Sequence, residues 1–260
     1  ITRMANETIS IYQDVERRLG TSCGLRQVGT LRVANTQERW DEFQSYIGVA
    51  KAAGANARLV TPEEIKDIHP LLVHSPNIRG GLYHPDDGYI NPSDITMGMA
   101  KLARDMGAKI RLNTRALGYT QQPDGTWIVS TSDGEIACEH LVFATGNYAR
   151  ENAKMVGLDL PCIPIVHQYW TTEPVPDLVE RKARGLKEYP VLRDEDYGAY
   201  LREDAGKFQF GPYEFERDLK LFAVDGVPKD FGADLLPEDF EAVAAQWERA
   251  IERVPALGSV

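Results

Sequence analysis

A mixed α/β fold follows from three features of the sequence. Apolar residues recur at helical spacing near both ends, the period switches from 3.6 to 2 from Lys109 onward, and short strand patterns are separated by tight Gly-containing turns. The opening segment places Met4, Ile11, Tyr12, Val15 and Leu19 on one stripe and stops at Gly20, which predicts an amphipathic helix. Val28 to Ala34 alternates and predicts a strand. Asn35 with Glu38 predicts the cap of a second helix, with Trp40, Phe43, Ile47 and Ala50 on one face and Gly54 as its end. Thr61-Pro62-Glu63-Glu64 combines a capping hydroxyl, a first-turn proline and a returning glutamate, so a short helix runs toward Pro70. Gly80 to His84 predicts a short strand entering the Asp87-Gly88 turn. Asn91-Pro92 with Asp94 then opens a helix with Ile95, Met99, Leu102 and Met106 inward and Gly107 as its stop.

From Lys109 the pattern is that of strands: Ile110 and Leu112, Ala116 to Thr120, an Asp124-Gly125 turn, Trp127 to Thr131, an Asp133-Gly134 turn, and the apolar run Leu141-Val142-Phe143-Ala144. This predicts a β-meander feeding one buried strand. Further strands are predicted at Ile163 to Thr172, Pro190 to Arg193, Ala199 to Glu203 and Lys207 to Gly211, the last two flanking Asp204-Ala205-Gly206. Pro237 to Val254 closes the chain as a helix with Phe240, Val243, Trp247, Ile251 and Val254 on one stripe.

The chain has 260 residues and a formal net charge of −10, a field that repels phosphate backbones, so nucleic acid is not expected as a partner. No stretch reaches the roughly 18 apolar residues of a spanning helix. Cys23, Cys138 and Cys162 fit neither a disulfide framework nor a zinc site, which favours a reducing compartment, cytoplasmic or the mitochondrial matrix. The five histidines, His69, His74, His84, His140 and His167, lack metal-ligand spacing; His84 with Asp86 and Asp87 imitates one, but Asp-Asp-Gly is also what a turn needs, and no metal is expected. Gly-x-Ser-x-Gly, His-Glu-x-x-His, Gly-Lys-Ser/Thr and Gly-x-Gly-x-x-Gly are all absent, which removes serine-hydrolase and P-loop readings.

Several segments carry chemistry. Ala144-Thr145-Gly146 ends a predicted strand where a glycine allows close approach to a flat ligand, as many ordinary strand ends do. In His167-Gln168-Tyr169-Trp170 a period of two puts His167 and Tyr169 on one face; a pocket lining and a half-buried aromatic strand remain equally open. Arg193 and Arg202 could grip a carboxylate bidentately, but Asp194 and Glu203 beside them make surface pairing the plainer alternative. Tyr213 lies in Gly211-Pro212-Tyr213-Glu214, a turn by composition.

Together these segments resemble the FAD-dependent dimethylglycine and sarcosine dehydrogenase family of D-amino-acid oxidase-like flavoproteins. The residues carrying the resemblance include Gly80-Gly81-Leu82-Tyr83, Asp87 to Pro92, Leu141 to Gly146, Pro164 to Tyr169, Pro190 to Asp194, Tyr200-Leu201-Arg202, Gly211 to Glu214 and Gly226-Val227-Pro228, spread over nearly the whole chain. It implies a partial FAD-binding domain with a β-meander, interleaved with a mixed-sheet substrate domain that covers the flavin. Residues 1–27 would link to a cofactor unit outside this sequence, 28–91 and 161–260 would form the substrate domain, and 92–160 would belong to the FAD-binding domain. The family's N-terminal Gly-x-Gly-x-x-Gly unit and its C-terminal glycine-rich segment are missing here, so the expectation is an internal piece of a larger dehydrogenase that binds FAD poorly alone.

The implied reaction is oxidative N-demethylation of a small N-methylated amino acid by hydride transfer to flavin, with the electron acceptor undefined. By the same resemblance Tyr169, then His167, would take the substrate's amine proton. Arg202, Arg193 and Tyr213 would bind substrate, and Ala116, Ala144, Thr145, Gly146 and Tyr148 would line the cofactor. A flavin-free interaction module that keeps the sheet, and a related flavin amine oxidase with another substrate, are the alternatives.

Overall fold

The structure is a computed structural model and describes residues 2–73, 77–214, 219–232 and 234–259. His74 therefore lies outside the described residues. The chain forms two compact units: Ile1–Gly107 with His167–Arg217 and Glu238–Val260, and Ala108–Val166 with Asp218–Pro237.

The first unit is built on a seven-stranded sheet of order β2-β3-β1-β8-β9-β10-β7. Its strands are β1 (Thr30–Ala34), β2 (Arg58–Val60), β3 (Gly80–His84), β7 (Trp170–Thr171), β8 (Val191–Asp194), β9 (Ala199–Asp204) and β10 (Lys207–Pro212). Only β1 and β8 pair in parallel; every other pair is antiparallel. One face turns Leu31, Val33, Val60, Leu192, Leu201, Phe208 and Phe210 into the main core. That core is closed by Ile65 of α3 (Pro62–Ile68), Leu178 of α6 (Pro176–Ala183) and Ala250 of α7 (Ala244–Arg253). Each such side chain contributes about 1.5–3 kcal/mol on burial, so the register that buries this set also decides which residues face outward. On the opposite face, Ala34 and Leu82 are covered by Phe43 and Ala50 of α2 (Gln37–Ala52), while the β8–β9–β10 end carries Arg193, Tyr200 and Arg202, none of them fully buried. The helices α1 (Thr2–Leu19) and α4 (Pro92–Asp105) pack on each other through Val15, Ile95 and Leu102, with Cys23 from the segment after α1 in the same cluster.

The second unit holds the meander β4 (Ala116–Gln121), β5 (Trp127–Thr131) and β6 (Gly134–Cys138), followed after a 3₁₀ turn at Gly146–Tyr148 by α5 (Ala149–Met155). A register shift between Ala116 and Gly118 marks a bulge at the start of β4.

Several expectations are corrected. The cap of α2 is Thr36, whose hydroxyl accepts from Arg39 N at 3.1 Å; Asn35 is instead bound to Asp194 and Arg253. Met4 and Ile11 of α1, Met99 of α4 and Met106 just after it are exposed, because the contact between these helices is narrow and Gly98, not a larger residue, fills its centre. Lys109 to Leu112 and Leu141 to Ala144 form no strand, and Val142 is 84% exposed: an apolar run becomes a strand only when another strand supplies hydrogen-bond partners, and none among the described residues does. Of Ile163 to Thr172, only Trp170–Thr171 pairs as a strand, with an isolated bridge from Ile165 to Leu221. The last helix begins at Ala244, after a 3₁₀ turn at Glu241–Val243.

Candidate functional site

Two groups of residues stand out, one in each unit. In the first unit the site is made by strand alternation. Arg193 of β8 lies opposite Tyr200 of β9, which lies opposite Gly211 of β10. A Cβ at Gly211 would overlap the Tyr200 ring, so glycine is what lets that ring lie across the neighbouring strand. Just beyond β10, the Tyr213 ring stands 5.6 Å from that of Tyr200, and its hydroxyl accepts from Arg193 Nη1 at 3.4 Å. Burial pushes both phenols up from their usual range, with Arg193 pulling each back, so they stay protonated donors at neutral pH. Tyr169 and Glu214 add to the field on Tyr200, which puts them in the same neighbourhood.

The segment before β7 behaves as the period of two requires. Gln168 is tied to the backbone of Asp239, donating from Nε2 at 2.7 Å and accepting at 2.9 Å, and Trp170 stacks on Phe210. Tyr169, on the other side, is 57% exposed. His167 Nδ1 lies 2.8 Å from Glu214 Oε2, with the carboxylate side chain nearly buried and the imidazole 37% exposed.

The two arginines part company. Arg193 lines a cleft of about 490 Å3 with Thr30, Arg32, His84 and Glu195. Arg202 lines a different cleft of about 290 Å3, stacked 4.5 Å over the Tyr89 ring, bonded to Gln209 and 3.3 Å from Asp204. Neither of these two clefts is lined by His167 or Tyr169. The carboxylates next to each arginine in sequence are not its partners, since neighbours on a strand point to opposite faces. Asp194 binds Arg253, and Glu203 accepts from Tyr189 N.

In the second unit a cavity of about 490 Å3 is lined by Ala116, Leu117, Thr145, Tyr148, Glu151 and Lys229, among others. Three of the five cofactor positions expected from sequence, Ala116, Thr145 and Tyr148, thus meet around one space; Ala144 and Gly146 flank Thr145 but do not line it. Tyr148 OH donates to Phe231 O at 2.6 Å, and Tyr119 OH is bonded to Asn152, whose Nδ2 donates to Tyr148 O at 2.7 Å. Glu151 Oε1 accepts from Val227 N at 2.7 Å, whereas Glu151 Oε2 and Thr145 Oγ1 are buried with no partner among the described residues. Sequence reasoning did not single out Glu151 or Lys229 here, and it named Val227 here and Tyr200 and Glu214 in the first unit only within segments that carry the resemblance, with no site role. The hairpin turn at Ala205-Gly206 was the available signal for Tyr200, because it fixes the register that sets Tyr200 opposite Gly211.

The uncovered polar and aromatic stretch of the sheet and the separate meander cavity with its unpaired polar atoms are the two candidate ligand-binding regions. The family described as DAO, FAD dependent oxidoreductase, matches residues 1–260, and the chain belongs to it. Mitochondrial dimethylglycine dehydrogenase of Rattus norvegicus is 37% identical over 254 residues, covering 96% of this chain and 29% of that protein. The 4-methylaminobutanoate oxidase (formaldehyde-forming) of Paenarthrobacter nicotinovorans is 31% identical over 259 residues, covering 100% of this chain and 30% of its own length. The crystal structure of L-proline dehydrogenase from P. horikoshii superposes with a TM-score of 0.78 at 25% identity, over 99% of this chain and 63% of that one. This chain therefore spans under a third of the length of these curated relatives. Among the described residues no helix is long and apolar enough to cross a membrane.

Proposed function

We propose that this chain is the substrate-binding and part of the cofactor-binding portion of an FAD-dependent enzyme that oxidatively N-demethylates dimethylglycine or sarcosine. The observation that supports this most is that His167 and Tyr169 lie on the open side of their segment, near the Tyr200–Tyr213–Arg193 group. The molecules in the names of the relatives above, dimethylglycine, 4-methylaminobutanoate and L-proline, each carry an amine and a carboxylate, and this face offers both a proton acceptor and a cation.

FAD fits the second unit. Thr145 Oγ1 and Glu151 Oε2 need partners, and a sugar hydroxyl is a suitable donor to a buried carboxylate oxygen. Thr145, Tyr148 and the Ala116 backbone would hold the cofactor's adenosine end, with Ala144 and Gly146 completing the loop. When bound, FAD supplies the hydride-accepting chemistry.

The remaining work falls to side chains of this chain. An ammonium has no lone pair to support hydride loss, so the substrate nitrogen must first give up a proton, which Tyr169 as its phenolate or His167 as its neutral imidazole takes. The carboxylate is held by an arginine: Arg193, beside Tyr213, is the more available, while a carboxylate at Arg202 must compete with Asp204. Tyr213 adds a hydroxyl to the same group.

The test uses the holoenzyme containing this chain, with dimethylglycine, sarcosine, 4-methylaminobutanoate and proline as a panel. Turnover of the N-methyl substrates is expected, with Tyr169→Phe lowering kcat by about 10²-fold or more at unchanged flavin content. Arg193→Met is expected to raise KM about tenfold or more, the worth of one charged hydrogen bond. Flavin-loaded enzyme that oxidises none of the N-methylated substrates defeats the reading.

A further inference from the structure

We propose that Glu214 is a positioning residue for His167: its carboxylate holds the Nδ1–H and leaves Nε2, with its lone pair, as the nitrogen that meets the substrate. The proposal rests on the functional reading above for what His167 does, but not for how it is held.

A carboxylate can only accept, so at 2.8 Å from Glu214 Oε2 the imidazole Nδ1 must donate. In a neutral ring this makes Nε2 the acceptor, and the hydrogen bond, not the ring itself, chooses the tautomer. The exposures agree with these roles. Glu214 is nearly buried, at 7% of its side-chain surface, and so has little water to compete for its oxygen, while His167 keeps 37% open to a ligand.

Both partners are fixed from behind. The residue after His167, Gln168, is clamped by two hydrogen bonds to the Asp239 backbone, so this stretch is held although it is not a regular strand. The residue before Glu214, Tyr213, gives its carbonyl to Gln246 Nε2 of α7 at 3.3 Å and its backbone N–H to Gly198 O at 2.7 Å. Two glutamines therefore hold the His167–Glu214 pair from the covered side, and the Gly-Pro-Tyr-Glu segment acquires a role beyond a turn. Gly211 admits the Tyr200 ring, Pro212 ends the β10 ladder, Tyr213 receives Arg193, and Glu214 orients His167.

The experiment has two arms. In the holoenzyme containing this chain, labelled with ¹⁵N-histidine, two-bond proton–nitrogen correlation at pH 8.5 is expected to show His167 with its proton on Nδ1. Glu214→Gln, whose carbonyl oxygen still accepts, should keep that form, and Glu214→Leu should lose it. In the holoenzyme, Glu214→Leu is expected to lower kcat for dimethylglycine about 10–100-fold at unchanged flavin content, the usual cost of removing the group that orients a working histidine, with Glu214→Gln recovering most of it. A proton on Nε2 in the unaltered chain, or a tautomer indifferent to Glu214→Leu, overturns the proposal. An enzyme inactive on every N-methylated substrate but showing the Nδ1–H form would defeat the functional reading and leave the positioning role standing.

Discussion

Gly211 and Tyr200 show how a single backbone position shapes the candidate substrate face. Because an added methyl would occupy the space of the Tyr200 ring, Gly211→Ala is expected to cost about 1–3 kcal/mol of stability, as overpacking does, and to displace the ring. Urea unfolding of Gly211→Ala, Tyr200→Ala and the double variant tests this: the cost should largely vanish once the ring is gone, and an undiminished cost would place the strain elsewhere. At this scale the sequence singles out, as candidates, residues whose chemistry shows in their own letter and neighbours, such as His167 and Tyr169. It concealed those that act through register or long-range pairing. Glu214 and Tyr200 entered only as letters in segments that carry the resemblance, with no role of their own, because the contact that singles each out is to a residue on another strand or segment. Adjacent carboxylates misled for the same reason, since Asp194 and Glu203 project to the side opposite Arg193 and Arg202.

At the scale of elements, the β9–β10 hairpin is closed by Ala205 at φ +56° and Gly206 at φ +89°. Two successive positive φ values match the turn type whose twist suits a tight hairpin, where Asn-Gly is the favoured pair and alanine is strained. Ala205→Asn is therefore expected to stabilise the protein by about 0.5–1 kcal/mol, read as a rise in the urea midpoint at constant m; a fall would mean that the methyl of Ala205 is needed by its surroundings. Elements with strong local signals were legible. The capping box at Thr61 and Glu64 and the Asn91 cap of α4 both form as the sequence indicates. Elements that depend on distant partners were not. The strand β2 has three residues and exists because β3 pairs with it, while Leu141 to Ala144 has the composition of a core strand without a described neighbour. The parallel β1–β8 contact joins segments far apart in the chain, and no local pattern encodes it.

At the scale of the molecule, the first unit is assembled from three separate stretches of chain, and buried polar groups join them. Arg253 of α7 donates to Asp194 Oδ2 at 3.0 Å and Asn35 Oδ1 at 2.6 Å, tying the last helix to the ends of β8 and β1. Burial outweighs these donors and pushes the Asp194 carboxyl up to about 6, so its contribution to stability falls as pH rises from about 4 to 6. His69 acts in the opposite direction. It is fully enclosed, its ring 5.0 Å from that of Tyr189, and its Nδ1 has no partner among the described residues; burial, with Arg181 nearby, lowers it to about 4. The unfolded chain takes up a proton on this histidine near pH 6.5 while the folded chain resists until about 4, so stability is lost as pH falls through that window. The shift corresponds to about 3 kcal/mol. His69→Phe keeps an aromatic ring beside Tyr189 and removes the titration. Because Asp194 is present in both proteins, the difference in unfolding free energy between them isolates His69: flat above about pH 7, then moving by about 3 kcal/mol in favour of the phenylalanine variant by pH 4. Chemical denaturation at a series of pH values gives this difference directly, and a difference independent of pH would show that water reaches the imidazole and that the core around it is more open than its packing implies.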